Sequence, residues 1–257
     1  EMHVNFLSLL DKYKINVFRI GFYEELIRKH RFIDIRNNHQ IGIRLDIDKS
    51  ITRNKFNIKT NCSVYEKFCD LIYNSSIIVF SDYCKGMFDD ISIENELISN
   101  WILKTSYKNS DATKLKFFLD SRSTDLSKFS GVDYFKPNNK EFDVYIDQSN
   151  LLNFKKILNT MSEKGMRLLY HFDGPLREVF NIKSMANNIV DPTGAGDTAL
   201  AGLIYGVVNK FSDIESMYIA NALSSISCSK FGTHVVTPEE LKNAFKIIED
   251  FKAQNKE

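Results

Sequence analysis

Residues 191–198 bring a glycine-rich turn and two carboxylates into one short segment. The sequence is Asp-Pro-Thr-Gly-Ala-Gly-Asp-Thr, and the small and apolar residues after it predict a helix over 195–209. Glycines at the start of a helix let an anion approach backbone N–H groups that lack intrahelical partners, where the helix dipole is positive. We therefore predict a phosphate-binding cradle at Gly194, Ala195 and Gly196.

Asp197 lies in the first turn of this predicted helix, beside the cradle. A carboxylate at that place could accept a proton from a hydroxyl that attacks the terminal phosphate of ATP, and phosphoryl transfer needs such positioning together with electrostatic stabilisation. On spacing alone, the alternative is that Asp197 caps the helix and the glycines only turn the chain. The segment is not an ordinary Walker loop, because it lacks the G-x-x-x-x-G-K-[ST] pattern.

Asn138 and Glu141 form a second candidate pair, after a predicted strand at 132–135. Ligand-binding residues of open α/β sheets gather at the ends of strands. A carboxylate and an amide oxygen suit a hard cation such as Mg²⁺ that keeps most of its water shell. As an isolated pair, the same two residues could also form a helix-capping arrangement.

Alternating strands and helices are predicted around these residues, which favours a mostly parallel sheet with helices on both faces. The predicted strands are 77–80, 116–120, 132–135, 154–158, 166–171 and 177–182, and the predicted helices lie near 61–74, 93–104, 195–209, 213–228 and 238–252. A further helix is predicted at 5–13. Strand-like runs at 15–20, 31–35 and 40–45 have no helix between them and predict a small antiparallel flap at about 15–48.

The segment 191–198, followed by a small-residue helix, resembles the C-terminal signature of the ribokinase-like (PfkB) carbohydrate kinases. The resemblance implies that Asp197 is the catalytic base and that the amides of Gly194, Ala195 and Gly196 form the anion hole for the transferring phosphate. Asn138 and Glu141 match the family's N-x-x-E motif. In that family the motif helps to arrange Mg²⁺ and its waters around the ATP phosphates.

Residues 81–86, Ser-Asp-Tyr-Cys-Lys-Gly, resemble the S-D-Y-x-K-G segment of the heptose 7-phosphate kinases. These kinases are often fused to an adenylyltransferase in the pathway to the activated heptose of lipopolysaccharide. Further segments similar to this subgroup are 36–40, 43–46, 220–222, 230–233 and 236–241. The triplet Asp-Ser-Arg at 120–122 departs from the Asp-Pro-Lys common there, although Arg122 keeps the positive charge.

The resemblance assigns residues to two substrates, ATP and a phosphorylated sugar. The expected ATP-binding residues are Asn138, Glu141, Thr193, Asn221, Lys230 and Gly232, of which the last three would wall the adenine and ribose pocket. The expected sugar-binding residues are Lys29, Arg31, Arg44, Asp46, Asp82, Lys85 and Arg122, of which the first four would lie on or near the flap. Basic side chains recognise phosphate well, but each could also be a solvated surface charge, and Asp82 with Lys85 could be a helix-capping pair.

Composition excludes several other classes of protein. Lys and Arg total 34 and Asp and Glu total 33, so net charge gives no general attraction for nucleic acid or an anionic membrane. No apolar run approaches membrane-spanning length, and the first residues lack the layout of a signal peptide. The four cysteines show no metal-ligand spacing, and reduced thiols are expected. We therefore expect a cytoplasmic protein with small-molecule partners.

We interpret residues 1–257 as a single ribokinase-like domain that lacks the N-terminal segment of its family, including a Gly-Gly stretch that touches the sugar. The crossover before the strand at 154–158 is expected to shrink to 147–153, which is tight for a parallel connection. An exposed sheet edge would invite pairing with another chain, and the flap could support a homodimer. The alternative function is a degenerate, non-catalytic relative that binds nucleotide or sugar phosphate. An adenylyltransferase is disfavoured because no H-x-G-H segment is present.

Overall fold

The computed structural model describes residues 8–17, 28–34, 39–47, 70–71, 74–84, 88, 115–148, 154–171 and 175–255, with the backbone alone over 28–34 and 39–47. The chain divides into two compact units, Glu1–Cys69 and Asp70–Glu257. The predicted helices near 61–74 and 93–104 lie outside the described residues, except that residues 70–71 are helical.

The first unit contains the antiparallel strand pair predicted for the flap. Strand β1 (Arg28–Asp34) pairs with β2 (His39–Ile47), and this register sets Lys29 opposite Asp46 and Arg31 opposite Arg44. Cross-strand partners and residues two apart on one strand share a face of a ladder, so these four predicted residues occupy one face of the pair. The helix predicted at 5–13 is present at 8–12. The strand predicted at 15–20 is not formed over 15–17, which have no regular secondary structure, and 18–20 lie outside the described residues.

The second unit is built on a sheet whose strands follow the order of the chain. The strands are β3 (Ile77–Asp82), β4 (Lys116–Ser121), β5 (Tyr134–Phe135), β6 (Lys156–Thr160), β7 (Met166–His171) and β8 (Leu176–Ile182). Strands β3 to β6 pair in parallel, whereas β7 and β8 are antiparallel additions. All of the strands predicted between 77 and 182 are therefore confirmed.

Four α-helices of ten or more residues accompany this sheet in the described part of the second unit: α1 (Asn139–Gln148), α2 (Ala195–Val208), α3 (Asp213–Cys228) and α4 (Pro238–Asn255). The last three confirm the sequence prediction. The expectation of a crossover confined to 147–153 is wrong, because the connection from β5 to β6 begins at 136 and contains α1. Helix α1 begins with polar residues, so the sequence pattern did not indicate its apolar face. On that face Phe142 and Tyr145 lie one helical turn apart, and both are buried.

Helices α2 and α3 pack closely enough that only small residues fit between them. A Cβ atom at Gly202 would lie 2.7 Å from Ala220 Cα, and one at Gly206 would lie 2.6 Å from Ser216 Cβ. Helix α3 begins with a capping box in which Ser212 Oγ accepts from the Glu215 amide at 3.2 Å and Glu215 Oε2 accepts from the Ser212 amide at 2.8 Å. Close packing of this kind fixes the direction and the N-terminus of α2, where the cradle is predicted.

Both faces of the sheet are covered, as the sequence predicts. Phe118 and Tyr134 stack with ring centroids 4.7 Å apart and belong to the core formed with α2, α3 and α4. Neighbouring residues on a strand point to opposite faces, so Phe117 and Phe135 face the other way. There Phe135 packs against Tyr145 of α1, with centroids 5.7 Å apart.

Candidate active site

The glycine-rich turn leads directly into α2 and has the geometry of an anion cradle. Gly194 caps the helix with φ of 82°, a left-handed conformation that a side chain would strain. The Thr198 amide and hydroxyl both donate to the Gly194 carbonyl at 2.9 Å. The Ala195 amide donates to the Pro192 carbonyl at 3.2 Å, so the turn itself uses one amide of the predicted anion hole.

Asp191 joins this turn to the segment that follows α3. Its buried carboxylate accepts from the Thr193 amide at 2.9 Å through Oδ1 and from the Gly232 amide at 3.2 Å through Oδ2. Its own amide donates to the Cys228 carbonyl at 3.1 Å. The first residue of the motif is therefore a structural anchor, and it brings two predicted ATP-binding residues, Thr193 and Gly232, next to each other.

A buried lysine lies beside the cradle. Lys136 is 4% exposed, and a Cβ atom at Gly196 would be 3.6 Å from its Nζ. The same Nζ lies 3.1 Å from Asp120 Oδ2 at the end of β4. Burial raises the pKa of Asp120 above its ordinary value, although Lys136 opposes the shift. Lys136 was not among the predicted site residues, and its only signal in the sequence was its place directly after a strand.

Asp197 lies in the first turn of α2, as predicted, and is exposed. It accepts a hydrogen bond from a residue that was not among the predicted site residues. The Tyr83 hydroxyl donates to Asp197 Oδ1 at 2.6 Å. The guanidinium of Arg122 lies over the Tyr83 ring, 4.6 Å from its centroid. Burial and then the bond to Asp197 raise the pKa of Tyr83. The ends of β3 and β4 thus meet the first turn of α2.

Asn138 and Glu141 form the capping arrangement that the sequence left open. The Asn138 amide donates to Glu141 Oε2 at 2.8 Å, and the Glu141 amide donates to Asn138 Oδ1 at 3.1 Å. The second oxygen, Glu141 Oε1, lies 3.9 Å from Arg122 Nε. Burial raises the pKa of Glu141, although the Asn138 amide opposes the shift.

These donors fit Mg²⁺ held through water better than Mg²⁺ held directly. Among the described residues, no group of three or more His, Cys, Asp or Glu side chains could ligate a metal. One Glu141 oxygen faces the site while the other closes the helix cap, so the carboxylate can still accept from a water of a hydrated cation. The indirect role of Asn138 and Glu141 in magnesium binding stays a prediction.

Asp82 is buried, and its carboxylate accepts hydrogen bonds from the segment after β3 and from the end of β4. It is 2% exposed and accepts from the Cys84 amide at 2.9 Å and from the Ser121 hydroxyl at 3.2 Å. Lys128 Nζ lies 3.6 Å from Asp82 Oδ2, the oxygen that also accepts from Ser121. Asp82 therefore fixes the ends of β3 and β4, and both its sugar-binding role and the helix-capping alternative with Lys85 stay predictions. Lys85 lies outside the described residues, as do the side chains of the four flap residues.

On the expected nucleotide side, Asn221 and the segment 230–232 have different surroundings. The buried Asn221 amide donates to the Lys183 carbonyl at 2.8 Å and accepts from the Met185 amide at 3.2 Å, so it holds the chain after β8. Lys230 is half exposed, with Nζ 3.7 Å from Glu240 Oε1. A Cβ atom at Gly232 would meet nothing within 4 Å. The segment 230–232 is at least partly exposed, whereas Asn221 is buried and holds the backbone after β8; the nucleotide-binding roles of these residues stay predictions.

Comparison with known proteins decides the family. The model of the pfkB family of carbohydrate kinases matches residues 102–240, which is more than half of the chain. The chain belongs to this family. The match confirms the predicted ribokinase-like carbohydrate kinase and includes the N-x-x-E pair, the lysine and the glycine-rich turn described above.

The pfkB chain is also similar to longer curated proteins. It is 27% identical over 224 residues to the bifunctional protein HldE of Pasteurella multocida, covering 82% of this chain and 43% of that protein. It is 27% identical over 251 residues to HldE of Haemophilus influenzae, covering 92% of this chain and 48% of that protein. The chain therefore spans less than half the length of these relatives.

Solved structures show the same fold. Ribokinase from Giardia lamblia matches with a TM-score of 0.69 at 17% identity, covering 96% of this chain and 79% of that one. Phosphofructokinase-2 from Escherichia coli matches with a TM-score of 0.66 at 13% identity, covering 96% and 78%. These matches confirm the predicted α/β architecture. In the described part of the chain, no helix has the length and apolar character needed to cross a bilayer.

Proposed function

We propose that this chain transfers the γ-phosphate of ATP to a hydroxyl of a sugar or sugar phosphate, with Asp197 as the general base. The observation that carries the proposal is the placement of Asp197 in the first turn of α2, beside the Gly194–Gly196 turn, with the buried Lys136 ammonium in reach of Gly196. A base, an anion cradle and a fixed cation in one place are the parts that phosphoryl transfer requires.

In the proposed reaction, the acceptor hydroxyl gives its proton to Asp197 while its oxygen attacks the γ-phosphorus. A new bond from phosphorus to the acceptor oxygen forms as the bond to the ADP oxygen breaks. The N-terminus of α2 and Lys136 offset the negative charge that spreads over the transferring group. When bound, Mg²⁺ would neutralise further phosphate charge, and its waters would be held by Glu141 and Asn138.

The surface around the cradle supports the binding of a nucleotide base. Ile189 and Val190 are 52% and 45% exposed, and Phe231 and Val235 are 43% and 60% exposed. These apolar side chains lie on the two segments that Asp191 joins. Large exposed apolar side chains grouped beside polar anchors are typical of a ligand-binding surface. We propose that they bury the adenine ring, with Lys230 and Gly232 beside the ribose.

The proposed acceptor is heptose 7-phosphate, for a lipopolysaccharide-type heptose pathway in the cytoplasm. Support comes from the S-D-Y-x-K-G segment and the further motifs that resemble this subgroup, in which the kinase is often part of a two-activity protein. The curated relatives are described as bifunctional, which agrees with this proposal. Arg122 near the cradle adds a planar donor for a sugar phosphate. The sugar-binding roles of Lys29, Arg31, Arg44, Asp46 and Lys85, the single-domain organisation and a flap-mediated dimer stay predictions.

The test is ATP consumption with Mg²⁺ against a panel of sugars that includes heptose 7-phosphate. The Asp197→Asn variant replaces the base by an amide of the same shape, and we expect its turnover to fall by about 10³-fold, because general-base catalysis is worth about 10²–10⁴. ATP affinity should change little. The matched control is Asp250→Asn, the same chemical change on an exposed residue of α4, which should keep full turnover.

Two results would contradict the proposal. If the starting protein binds ATP but turns over no sugar of the panel, the chain is a non-catalytic nucleotide-binding relative. If sugar-dependent turnover is the same in the Asp197→Asn and Asp250→Asn variants, Asp197 is not the base. Turnover on another sugar with none on heptose 7-phosphate keeps the kinase and rejects only the proposed acceptor.

A further inference from the structure

Tyr83 directly follows β3 and contacts the proposed base, Asp197, which lies 114 residues later in the sequence. Its O–H donates to Asp197 Oδ1 at 2.6 Å. That distance is typical of a charge-assisted hydrogen bond from a hydroxyl to a carboxylate. Asp197 is exposed, so without this contact its side chain would be free to change rotamer in solvent. The bond therefore restricts the group that must meet the acceptor hydroxyl.

Both the ring and the backbone of Tyr83 are held in place. The ring is covered by the Arg122 guanidinium at 4.6 Å, a favourable cation–π geometry. On the two sides of Tyr83, the buried Asp82 carboxylate accepts a hydrogen bond from the Cys84 amide at 2.9 Å. The Arg122 amide also donates to the Asp82 carbonyl at 2.9 Å. The tyrosine is thus a fixed donor for the exposed Asp197 carboxylate.

We propose that Tyr83 is a positioning residue for catalysis: its hydroxyl holds Asp197 Oδ1 and leaves Oδ2 to accept the proton of the sugar hydroxyl. This inference rests on the proposed function. Tyr83 cannot itself serve as the base at neutral pH, because burial and Asp197 raise its pKa and keep the phenol protonated. Arg122 supports the arrangement through the ring, which gives the Asp-Ser-Arg departure from the Asp-Pro-Lys pattern a specific role.

The main test is steady-state kinetics of the Tyr83→Phe variant, which removes the hydroxyl and keeps the ring. We expect kcat to fall about tenfold, the usual size of one lost hydrogen bond to a charged group, while KM for ATP stays within about twofold. A purely structural role would instead change folding or both parameters. The matched control is Tyr145→Phe, which removes a hydroxyl from the buried tyrosine of α1 that approaches His171 Nδ1 at 3.4 Å. Its kcat should not change.

A second measurement does not depend on turnover. The ring signals of Tyr83, assigned by their loss in Tyr83→Phe, are followed by NMR as pH is raised. We expect the pKa of Tyr83 to be lower in the Asp197→Asn variant, because the hydrogen bond to a carboxylate and its charge are both removed. An unchanged Tyr83 titration would show that the contact is not formed in solution and would overturn the inference.

The two measurements separate this inference from the proposed function. If the starting protein turns over a sugar and Asp197→Asn does not, but Tyr83→Phe behaves like Tyr145→Phe, the kinase stands and the role of Tyr83 is rejected. If no sugar is turned over, the proposed function fails, and the Tyr83 titration still decides whether Tyr83 holds Asp197. A fall in kcat together with a lowered Tyr83 pKa in Asp197→Asn supports both.

Discussion

Two clusters of carboxylate, lysine and tyrosine side chains lie at opposite ends of the parallel strands. They differ in how many donors the aspartate carboxylate accepts hydrogen bonds from. At the starts of β5 and β6, Asp213 accepts from Tyr134 at 2.7 Å, from Lys156 at 2.6 Å and from Tyr170. We call these four residues the amino-end cluster. At the other ends of the strands, Asp197 is exposed and accepts from Tyr83, while Lys136 pairs with Asp120. We call these four residues, together with Glu141, the carboxyl-end cluster.

The difference shows that residue type alone does not make a reactive site. Burial would raise the pKa of Asp213, but the bonds from Lys156, Tyr170 and Tyr134 outweigh burial, and its pKa is lowered. A carboxylate with three donors is stabilised in its charged form and has little capacity for another proton. Burial dominates instead at Asp120 and Glu141 of the candidate site, where the pKa is raised. The amino-end cluster stabilises the fold, and the other cluster keeps capacity for a ligand.

Among the variants that compare the two clusters, Lys136→Met is expected to have the largest effect. We expect turnover to fall at least about hundredfold, because a fixed cation near the transferring phosphate is lost. The free energy of unfolding should also fall by about 3 kcal/mol, because Asp120 is left buried without its counter-ion. Turnover assays and urea denaturation measure the two effects separately.

The double variant Lys136→Met with Asp120→Asn is the control for this change. Removing both charges should restore most of the free energy of unfolding but none of the turnover. Recovery of turnover in the double variant would show that Lys136 acts on folding alone, and the contrast between the two clusters would then disappear.

A smaller and purely structural effect is expected for Asp213→Asn. The asparagine side chain cannot accept hydrogen bonds from all three donors, so we expect the free energy of unfolding to fall by about 2 kcal/mol. Turnover per folded molecule should not change, because the amino-end cluster lies away from the cradle. Asp250→Asn on the surface should cost less than about 0.5 kcal/mol in the same denaturation assay. A strong fall in kcat for Asp213→Asn would break the comparison.

The smallest effects concern the pH dependence of stability, and they should have opposite signs in the two clusters. The lowered pKa of Asp213 means that its contribution is present above the ordinary value of 3.8 and is lost as pH falls below it. Glu141 has a raised pKa, so its carboxylate penalises folding at neutral pH. That penalty is relieved as pH falls toward the ordinary value of 4.5.

Urea midpoints at several pH values would measure this, with Asp213→Asn and Glu141→Gln compared with the starting protein. The stability advantage of the starting protein over Asp213→Asn should shrink as pH falls below 3.8, the ordinary pKa of an aspartate. Its disadvantage relative to Glu141→Gln should shrink as pH falls from neutral. Parallel curves for both variants would mean that the two carboxylates do not differ in solution.

The sequence predicted the main sheet, the last three helices and the glycine-rich turn, because these depend on local apolar spacing and on glycine. It missed α1 because ten residues with a polar start carry few apolar positions. It also could not choose between capping and cation binding for Asn138 and Glu141, since one spacing permits both. Tyr83 and Lys136 were not selected because their partners are remote in the chain, and only the folded structure brings them together.

The sequence by itself determined the family and the local chemistry of residues 191–198, because a turn, a helix start and a carboxylate in its first turn are properties of consecutive residues. Tertiary structure decided which carboxylate is saturated and which is available. Asp213 and Asp197 both lie in the first turn of a helix, yet only the packing of that helix against the sheet determines how many donors each one meets.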